Sequence, residues 1–441
     1  MMPESPRDNA IDIFRSALGA VDPYECVKRH MPRVVSEIGA GKLERVLLVS
    51  FGKASSLMAK AASDHLPAGV PVRGIALTKY GHAEGVSLPA HIETYEAGHP
   101  IPDEAGLLAA QKILELLSGT DERTLALFLL SGGGSALLVS PQEGMSLADK
   151  QGVTGLLLKA GASIDELNTV RKHLSRVKGG RLAQAAYPAR GMSLILSDVI
   201  GDRLDVIASG PTSADPSTFG DAISVLEKYG LSEAVPARAM DVLRRGLEGA
   251  VPETPKPGGG LFDNFENIIV GSNKLAAETA KRRAEELGYS AVVMSTKVEG
   301  EARDVAGWFA SRAKEMKGAL AAKKMGEMCL IFGGETTVTV KGSGLGGRNT
   351  ELALAFAMAV EGTDGVTLLS GGTDGNDGPT DAAGAVVNGS TIKVARSKGL
   401  DPQAYLDRND SYHFFKETDE LLITGPTGTN VMDLQIILIK G

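Results

Sequence analysis

The sequence predicts a two-domain α/β protein whose N-terminal domain is built on a parallel sheet. Three observations carry that expectation. Short apolar runs that break at turns and lead into helical patterns recur along the chain, its 441 residues exceed what one hydrophobic core usually holds, and a Pro- and Gly-rich stretch interrupts it past the middle.

In chain order, residues 1–9 are polar and read as a frayed end. Strand-sized apolar runs follow at 46–50, 125–130, 193–196, 268–270 and 291–294. Residues 53–66, 103–117 and 274–287 carry apolar side chains at three- and four-residue spacing and read as helices. Residues 251–260 contain Pro252, Pro255, Pro257 and three consecutive glycines, which sustain neither a helix nor a central strand. They are read as a linker between a first domain at 1–250 and a second at 261–441, with the option that C-terminal strands return to the first.

Composition narrows the function classes. With 43% apolar and 23% charged residues the chain is globular rather than disordered. A net charge of -8 offers no basic surface for nucleic acid. No run approaches the ~18 apolar residues of a membrane helix, and no signal-peptide pattern precedes Ile11. The expected setting is the cytoplasm and the expected partners are small molecules, with neither nucleic acid nor membrane. Cys26 and Cys329 lie far apart without metal-ligand spacing and read as reduced, packed thiols.

The chain holds 54 glycines, well above the average of ~7%. Open parallel sheets bind ligands at the carboxyl ends of their strands, so glycine-rich turns there are the places to look for chemistry. In Ser50-Phe51-Gly52-Lys53-Ala54-Ser55 a lysine sits at the positive end of a helix dipole, where an anion would compensate it; a solvated lysine is the plain alternative. In Ser131-Gly132-Gly133-Gly134-Ser135 the backbone can approach a ligand closely and successive amides can form a nest for phosphate or carboxylate oxygens; the alternative is a flexible turn. Asp198 and Asp202, followed by Ser209-Gly210-Pro211-Thr212, could hold Mg²⁺, accept a hydroxyl proton or cap helices.

The densest stretch is Phe332-Gly333-Gly334-Glu335, an alternating strand over 336–340, and Gly342 to Thr350, which opens a helix over 350–360. There amides and the Arg348 guanidinium would converge on an anion. Gly342, Gly344 and Gly347 fit the G-x-G-x-x-G dinucleotide pattern, but a half-exposed alternating strand is the wrong lead-in for it. No P-loop and no G-x-S-x-G elbow occurs. Asp374 and Asp377 lie in a loop after the apolar strand 366–369, placed for metal or hydroxyl binding. The histidines, among them His82, His99, His173 and His413, show no zinc spacing; His99 is the one placed to approach a substrate.

The runs 131–138, 197–212, 333–352, 370–385 and 424–433 resemble those of the class II glycerate kinases, whose C-terminal part is called the MOFRL domain. The resemblance spans essentially the whole chain. It implies a Rossmann-like N-terminal domain, a smaller mixed α/β C-terminal domain and an active site in the cleft between them. It also implies ATP-dependent phosphorylation of D-glycerate, in most such enzymes at the 2-hydroxyl to give 2-phosphoglycerate, with Mg²⁺ or another divalent cation. The lysine and arginine implicated in catalysis in that family match Lys53 and Arg348, and Asp198 joins them as a possible proton acceptor.

The expected substrate- and nucleotide-binding set is Gly52, Ser131, Gly132, Gly133, Gly134, Ser135, Gly210, Thr212, Gly334, Glu335, Gly346, Gly347, Asn349, Thr427, Gly428 and Asn430. Asp202, Asp374 and Asp377 are the expected metal ligands. Two other readings remain open at this point: an NAD(P)H-dependent hydroxypyruvate reductase and a non-catalytic sensor of a hydroxy acid or nucleotide.

Overall fold

The computed structural model describes residues 5–40, 43–323 and 326–441. Its contacts divide the chain into two compact units, one running from Pro23 to Val270 and the other joining the segment up to Asp22 to Gly271–Gly441.

The first unit is built on a sheet of β1 (Arg45–Phe51), β2 (Val72–Lys79), β3 (Ile92–Ala97), β4 (Thr124–Leu130), β5 (Arg190–Leu196) and β6 (Phe265–Gly271), in the order β3-β2-β1-β4-β5-β6. The pairings among β1 to β5 are parallel. β4 reads TLALFLL and is buried at every position, the mark of a strand covered on both faces. Phe51, Phe128, Leu130 and Ile195 from the sheet pack with Ile113 and Leu117 of the helix Glu104–Leu117, which Asp103 caps by accepting from Gly106 N (3.1 Å). A second core in this unit gathers the helices Leu147–Lys159, Ile164–His173, Phe219–Lys228 and Ala237–Leu247 around Val153, Leu167, Phe219 and Leu243.

The stretch expected to be a linker belongs to this unit. Asp215 N donates to Pro255 O (2.9 Å), Thr254 Oγ1 donates to Asp215 Oδ2 (3.0 Å), and His173 Nε2 lies 2.9 Å from Glu253 Oε1. Its prolines forbid regular structure, yet its carbonyls and side chains serve the buried Asp215 and His173. The contacts therefore place the junction after Val270 rather than at 251–260.

The second unit carries β7 (Ser290–Val298), β8 (Met328–Gly334), β9 (Val366–Gly372), β10 (Gly384–Asn388), β11 (Leu421–Leu422) and β12 (Asp433–Ile439), ordered β11-β10-β9-β12-β8-β7. β7 and β8 are parallel, while β12 runs antiparallel to both β8 and β9, which sets Asp433 opposite Gly334 and Gly372. The C-terminal strand thus stays in this unit, and it is the N-terminal helix Pro6–Ala20 that joins it from afar. Ser5 and Asp8 form a capping box, and Ala10, Ile13, Phe14 and Ala17 are fully buried where the helix meets the helix Asn273–Glu286, β9 and β12. The expected frayed end is therefore helical from Pro6, and residues 1–4 lie outside the described residues.

The strand expected over 336–340 is reduced to one bridge, Glu301 to Thr337. Thr339 N and Oγ1 bond the Glu301 carboxylate (3.1 and 2.9 Å) instead of a strand backbone. Both cysteines are buried thiols, and among the described residues no helix is long and apolar enough to cross a membrane. Truncating Phe14 to Ala is expected to cost about 3–5 kcal/mol. Hydrogen exchange should show the lost protection in β9 and β12, with β1 and β4 unchanged.

Candidate active site

In the strand order of the first unit the chain winds outward from β1 on one side and from β4 on the other, so the turns leaving these two strands flank the switch point where open α/β sheets bind ligands. The turns touch. Gly52, at φ +123°, approaches Ser131 so closely that a side chain there would meet the serine Oγ and carbonyl. Lys53 N donates to Gly132 O (2.9 Å) and Ala54 N to Ser131 Oγ (3.0 Å). The stem of Lys53 runs beside Gly133, whose φ is +85°: a Cβ there would lie 3.2 Å from Lys53 Cγ and 3.1 Å from the His99 ring. From the turn after β5, Asp198 sets its carboxylate against Gly132, where a side chain would collide with it.

Lys53, His99, the glycine loop and Asp198 therefore meet at the carboxyl ends of β1, β4 and β5. Burial, followed by the charges of Lys53 and Lys79, holds His99 down to about 4, so its ring is uncharged at neutral pH. Ser135 Oγ lies 2.8 Å from Ser209 Oγ, which donates to Asn168 Oδ1 (2.9 Å). A cavity of about 460 Å³ lined by Arg45, Arg73, His91 and Lys112 lies at the opposite, amino-terminal ends of β1 and β2 and includes none of these groups.

In the second unit Arg348 opens the helix Arg348–Ala359 and is held by acids. Its Nε and Nη2 donate to Asp433 Oδ2 and Oδ1 (2.6 and 2.9 Å), and its Nη1 lies 2.6 Å from Glu335 Oε1. Burial pushes Asp433 up to about 6 while Arg348 pulls it the other way, so the carboxylate is ionised at neutral pH. Burial opposes the charge on Arg348, but Asp433 and Glu335 more than offset it.

Two further loops frame this point. Thr427 Oγ1 donates to Thr373 O (2.6 Å), Thr373 Oγ1 to Met432 O (2.6 Å), and Asn430 Oδ1 accepts from Met432 N (3.0 Å), with Gly428 at φ +74° between them.

Residues 9–244 match the family model described as a domain of unknown function (DUF4147), and residues 328–433 match the MOFRL family. A protein of Thermotoga maritima named D-glycerate 2-kinase is 49% identical over 438 residues, covering 99% of this chain and 99% of its own. A glycerate 2-kinase of Pyrococcus horikoshii is 41% identical, covering 98% of this chain and 97% of its own. The chain belongs to the class II glycerate kinase family. The crystal structure of the Thermotoga maritima glycerate kinase superposes with a TM-score of 0.89 at 48% identity, covering 99% of this chain and all of that one. A relative from Agrobacterium vitis, 42% identical over 97% of this chain and 93% of its own, carries a provisional hydroxypyruvate reductase name.

Gly52, Lys53, Ser131 to Ser135 and Asp198 are brought together, as are Gly334, Glu335 and Arg348 around Asp433, while Gly346 packs against Ser411 and Gly347 against Asp377. Others act as braces. Gly210 O accepts from Gly180 N (2.7 Å), and Thr212 Oγ1 donates to Asn267 Oδ1 (2.8 Å) while Asn267 Nδ2 donates to Thr212 O (2.9 Å).

Asp377, expected as a metal ligand, is buried with both oxygens engaged: Oδ1 accepts from Asn349 N (2.9 Å), and Oδ2 from Thr350 N (2.8 Å) and Thr350 Oγ1 (2.7 Å). It is an N-cap supplied to the helix Arg348–Ala359 from another loop. Asn349 Oδ1 accepts from Ser370 Oγ (2.7 Å), and Asp374 Oδ1 from Asn376 N (3.2 Å). Asp202 lies in the other unit, in the turn Ile200–Asp202. Among the described residues no three histidine, cysteine or carboxylate groups converge as a metal cage.

The G-x-G-x-x-G run is no dinucleotide cradle. Lys341 N and Gly342 N donate to Asn409 Oδ1 (2.8 and 3.0 Å), and Leu345 N donates to Asp410 Oδ1 (2.9 Å).

Sequence reasoning passed over Asp433 as a site residue, because a carboxylate opening a C-terminal strand has no local signal; only the antiparallel register of β12 reveals it. Replacing Asp433 with Asn breaks a buried ion pair and is expected to cost about 3–5 kcal/mol, read as a lowered denaturant midpoint. His99 gives a pH signature. Its folded pKa is depressed from 6.5 to about 4, so the stability it contributes is complete above 6.5 and is lost as the pH falls from there towards 4. Its ring resonances should titrate near 4, and a midpoint near 6.5 would refute the half-buried placement beside Lys53.

Proposed function

We infer that this chain is a kinase that transfers the γ-phosphoryl group of ATP to D-glycerate, at the 2-hydroxyl, giving 2-phosphoglycerate and ADP. The observation that carries the reading is 49% identity over the full length of a relative named D-glycerate 2-kinase. The cluster at the switch point of the parallel sheet, a lysine and a glycine loop beside a carboxylate, supports it chemically.

In the transfer the 2-hydroxyl oxygen of glycerate bonds to the γ-phosphorus. The bond from that phosphorus to the bridging oxygen breaks, ADP leaves with the electron pair, and the hydroxyl proton passes to a base. The protein's task is positioning and neutralising the charge on the moving group. We assign that neutralisation to Lys53 and Arg348, the holding of an anionic group to Ser131–Ser135, and the proton to Asp198.

A divalent cation accompanying ATP keeps several waters and takes only one or two protein carboxylates, so a single carboxylate at a strand end fits it without a cage. Asp202, in the turn that follows Asp198, is the group we propose to hold it, with Asp374 as the alternative. Bound there it would neutralise phosphate charge. The proposed setting is the cytoplasm, where ATP is at hand.

The reductase reading finds no support in the glycine run at 342–347, where the amides of Gly342, Gly344, Leu345 and Gly347 donate to Asn409 Oδ1, Arg408 O, Asp410 Oδ1 and Thr350 Oγ1. Incubation with ATP, Mg²⁺ and D-glycerate, read by phosphorus NMR, should give 2-phosphoglycerate; 3-phosphoglycerate would overturn the position, and NADH consumption with hydroxypyruvate but no phosphoglycerate would overturn the kinase. Lys53→Ala and Arg348→Ala should each lower kcat by about 10²-fold or more while the protein stays folded by circular dichroism. Near-normal turnover would remove the residue from the mechanism.

A further inference from the structure

Next to the Ser131–Ser135 loop lies a group of buried and partly buried cations that the mechanism above leaves unused. Lys178 is 1% exposed, and its Nζ donates to Ser135 O (2.8 Å) and Leu138 O (3.4 Å). Arg171, in the last turn of the helix Ile164–His173, donates from Nη2 to the same Ser135 O (3.2 Å), and its buried Nε has no hydrogen-bond partner. Lys150, 4% exposed, donates to Leu174 O (2.9 Å) and Arg171 O (3.2 Å). Among the described residues none of the three pairs with a carboxylate, and the charges felt by the two lysines are cationic ones from within the group.

Lys150 has a structural explanation: it satisfies carbonyls at the end of a helix, where a cation is favourable. Lys178 likewise meets carbonyls at the end of the short helix Gly134–Leu137, but it shares the Ser135 carbonyl with Arg171. Two positive groups on one carbonyl oxygen repel each other, and a backbone hydrogen bond does not cancel a buried charge. Among the described residues of this unit none neutralises them, while the carbonyl they share belongs to the glycine loop that also touches Lys53 and Asp198.

We propose that Lys178 and Arg171 are binding residues for the anionic group held at the Ser131–Ser135 loop, either a phosphate of the nucleotide or the carboxylate of glycerate. That anion supplies the counter-charge the protein lacks. The naming of these two ligands rests on the kinase reading; the need for an anion does not. Burial, with Arg171 and Lys150 adding to it, pushes the Lys178 ammonium well below the usual lysine range, so a bound anion favours its protonation.

The test compares Lys178→Met, Arg171→Met and Lys150→Met with the wild-type chain. Affinities for ADP and for D-glycerate are measured separately by calorimetry, alongside the ligand-free Tm and the kinetic constants. In Lys178→Met and Arg171→Met the Kd of one ligand should rise about tenfold or more, with its KM rising more than kcat falls. The ligand-free Tm should hold or increase, because an uncancelled buried charge has been removed. Weakened ADP binding identifies a phosphate at the loop, and weakened D-glycerate binding identifies its carboxylate.

Lys150→Met should lower Tm and leave both affinities alone. A lowered Tm in Lys178→Met and Arg171→Met, with both Kd values within about twofold of wild type, overturns the proposal. Should Lys178→Met fail to fold, Arg171→Met decides by the same readout. If the wild-type protein makes no phosphoglycerate the kinase reading fails by itself. Inorganic phosphate then serves as the probe: binding weakened by the variants sustains the counter-charge role, and unchanged binding ends it.

Discussion

The approach of Gly52 to Ser131 is the contact on which the first unit's chemistry depends. Two parallel strands that end side by side must send their turns past each other, and they do so here without a side chain between them. From that contact follow the hydrogen bonds that tie Lys53 to Gly132 and Ala54 to Ser131, and the placement of the Lys53 stem against Gly133 and His99. A methyl group at either glycine would move the lysine, the histidine or the loop. Glycine in these turns is a requirement of closeness, and the closeness brings a backbone loop and a lysine to one point.

The second unit solves a different problem. Its central strand β12 runs against β8 and β9, so the strand's first residue lies where the other two end. Asp433 occupies that position with no exposure and takes both arms of the Arg348 fork. Planar guanidinium and planar carboxylate match in two hydrogen bonds, which fixes the arginine's direction as well as its charge. Asp377 fixes the helix that carries Arg348 by capping its first amides. The units also differ in electrostatic balance. Around Arg348 the acids outnumber the single cation, whereas among the described residues Lys178 and Arg171 pair with no acid.

The sequence by itself determined the α/β class, the two-unit organisation, most of the central strands and the glycine-rich turns at their ends. It could do so because these features are local: a buried parallel strand such as 124–130 is apolar throughout, and a turn that must approach a neighbour closely needs glycine. The tertiary structure alone decided the rest. It placed the helix Pro6–Ala20 with the C-terminal unit, since its apolar face says that it packs but not on what. It kept the proline-rich stretch around 251–260 inside the first unit, because the groups it serves, Asp215 and His173, come from distant elements. It turned Asp377 from an expected metal ligand into a helix cap and Asp433 into the partner of Arg348. A carboxylate looks the same in sequence in either role, and only which donors the fold brings within 3 Å of it separates them.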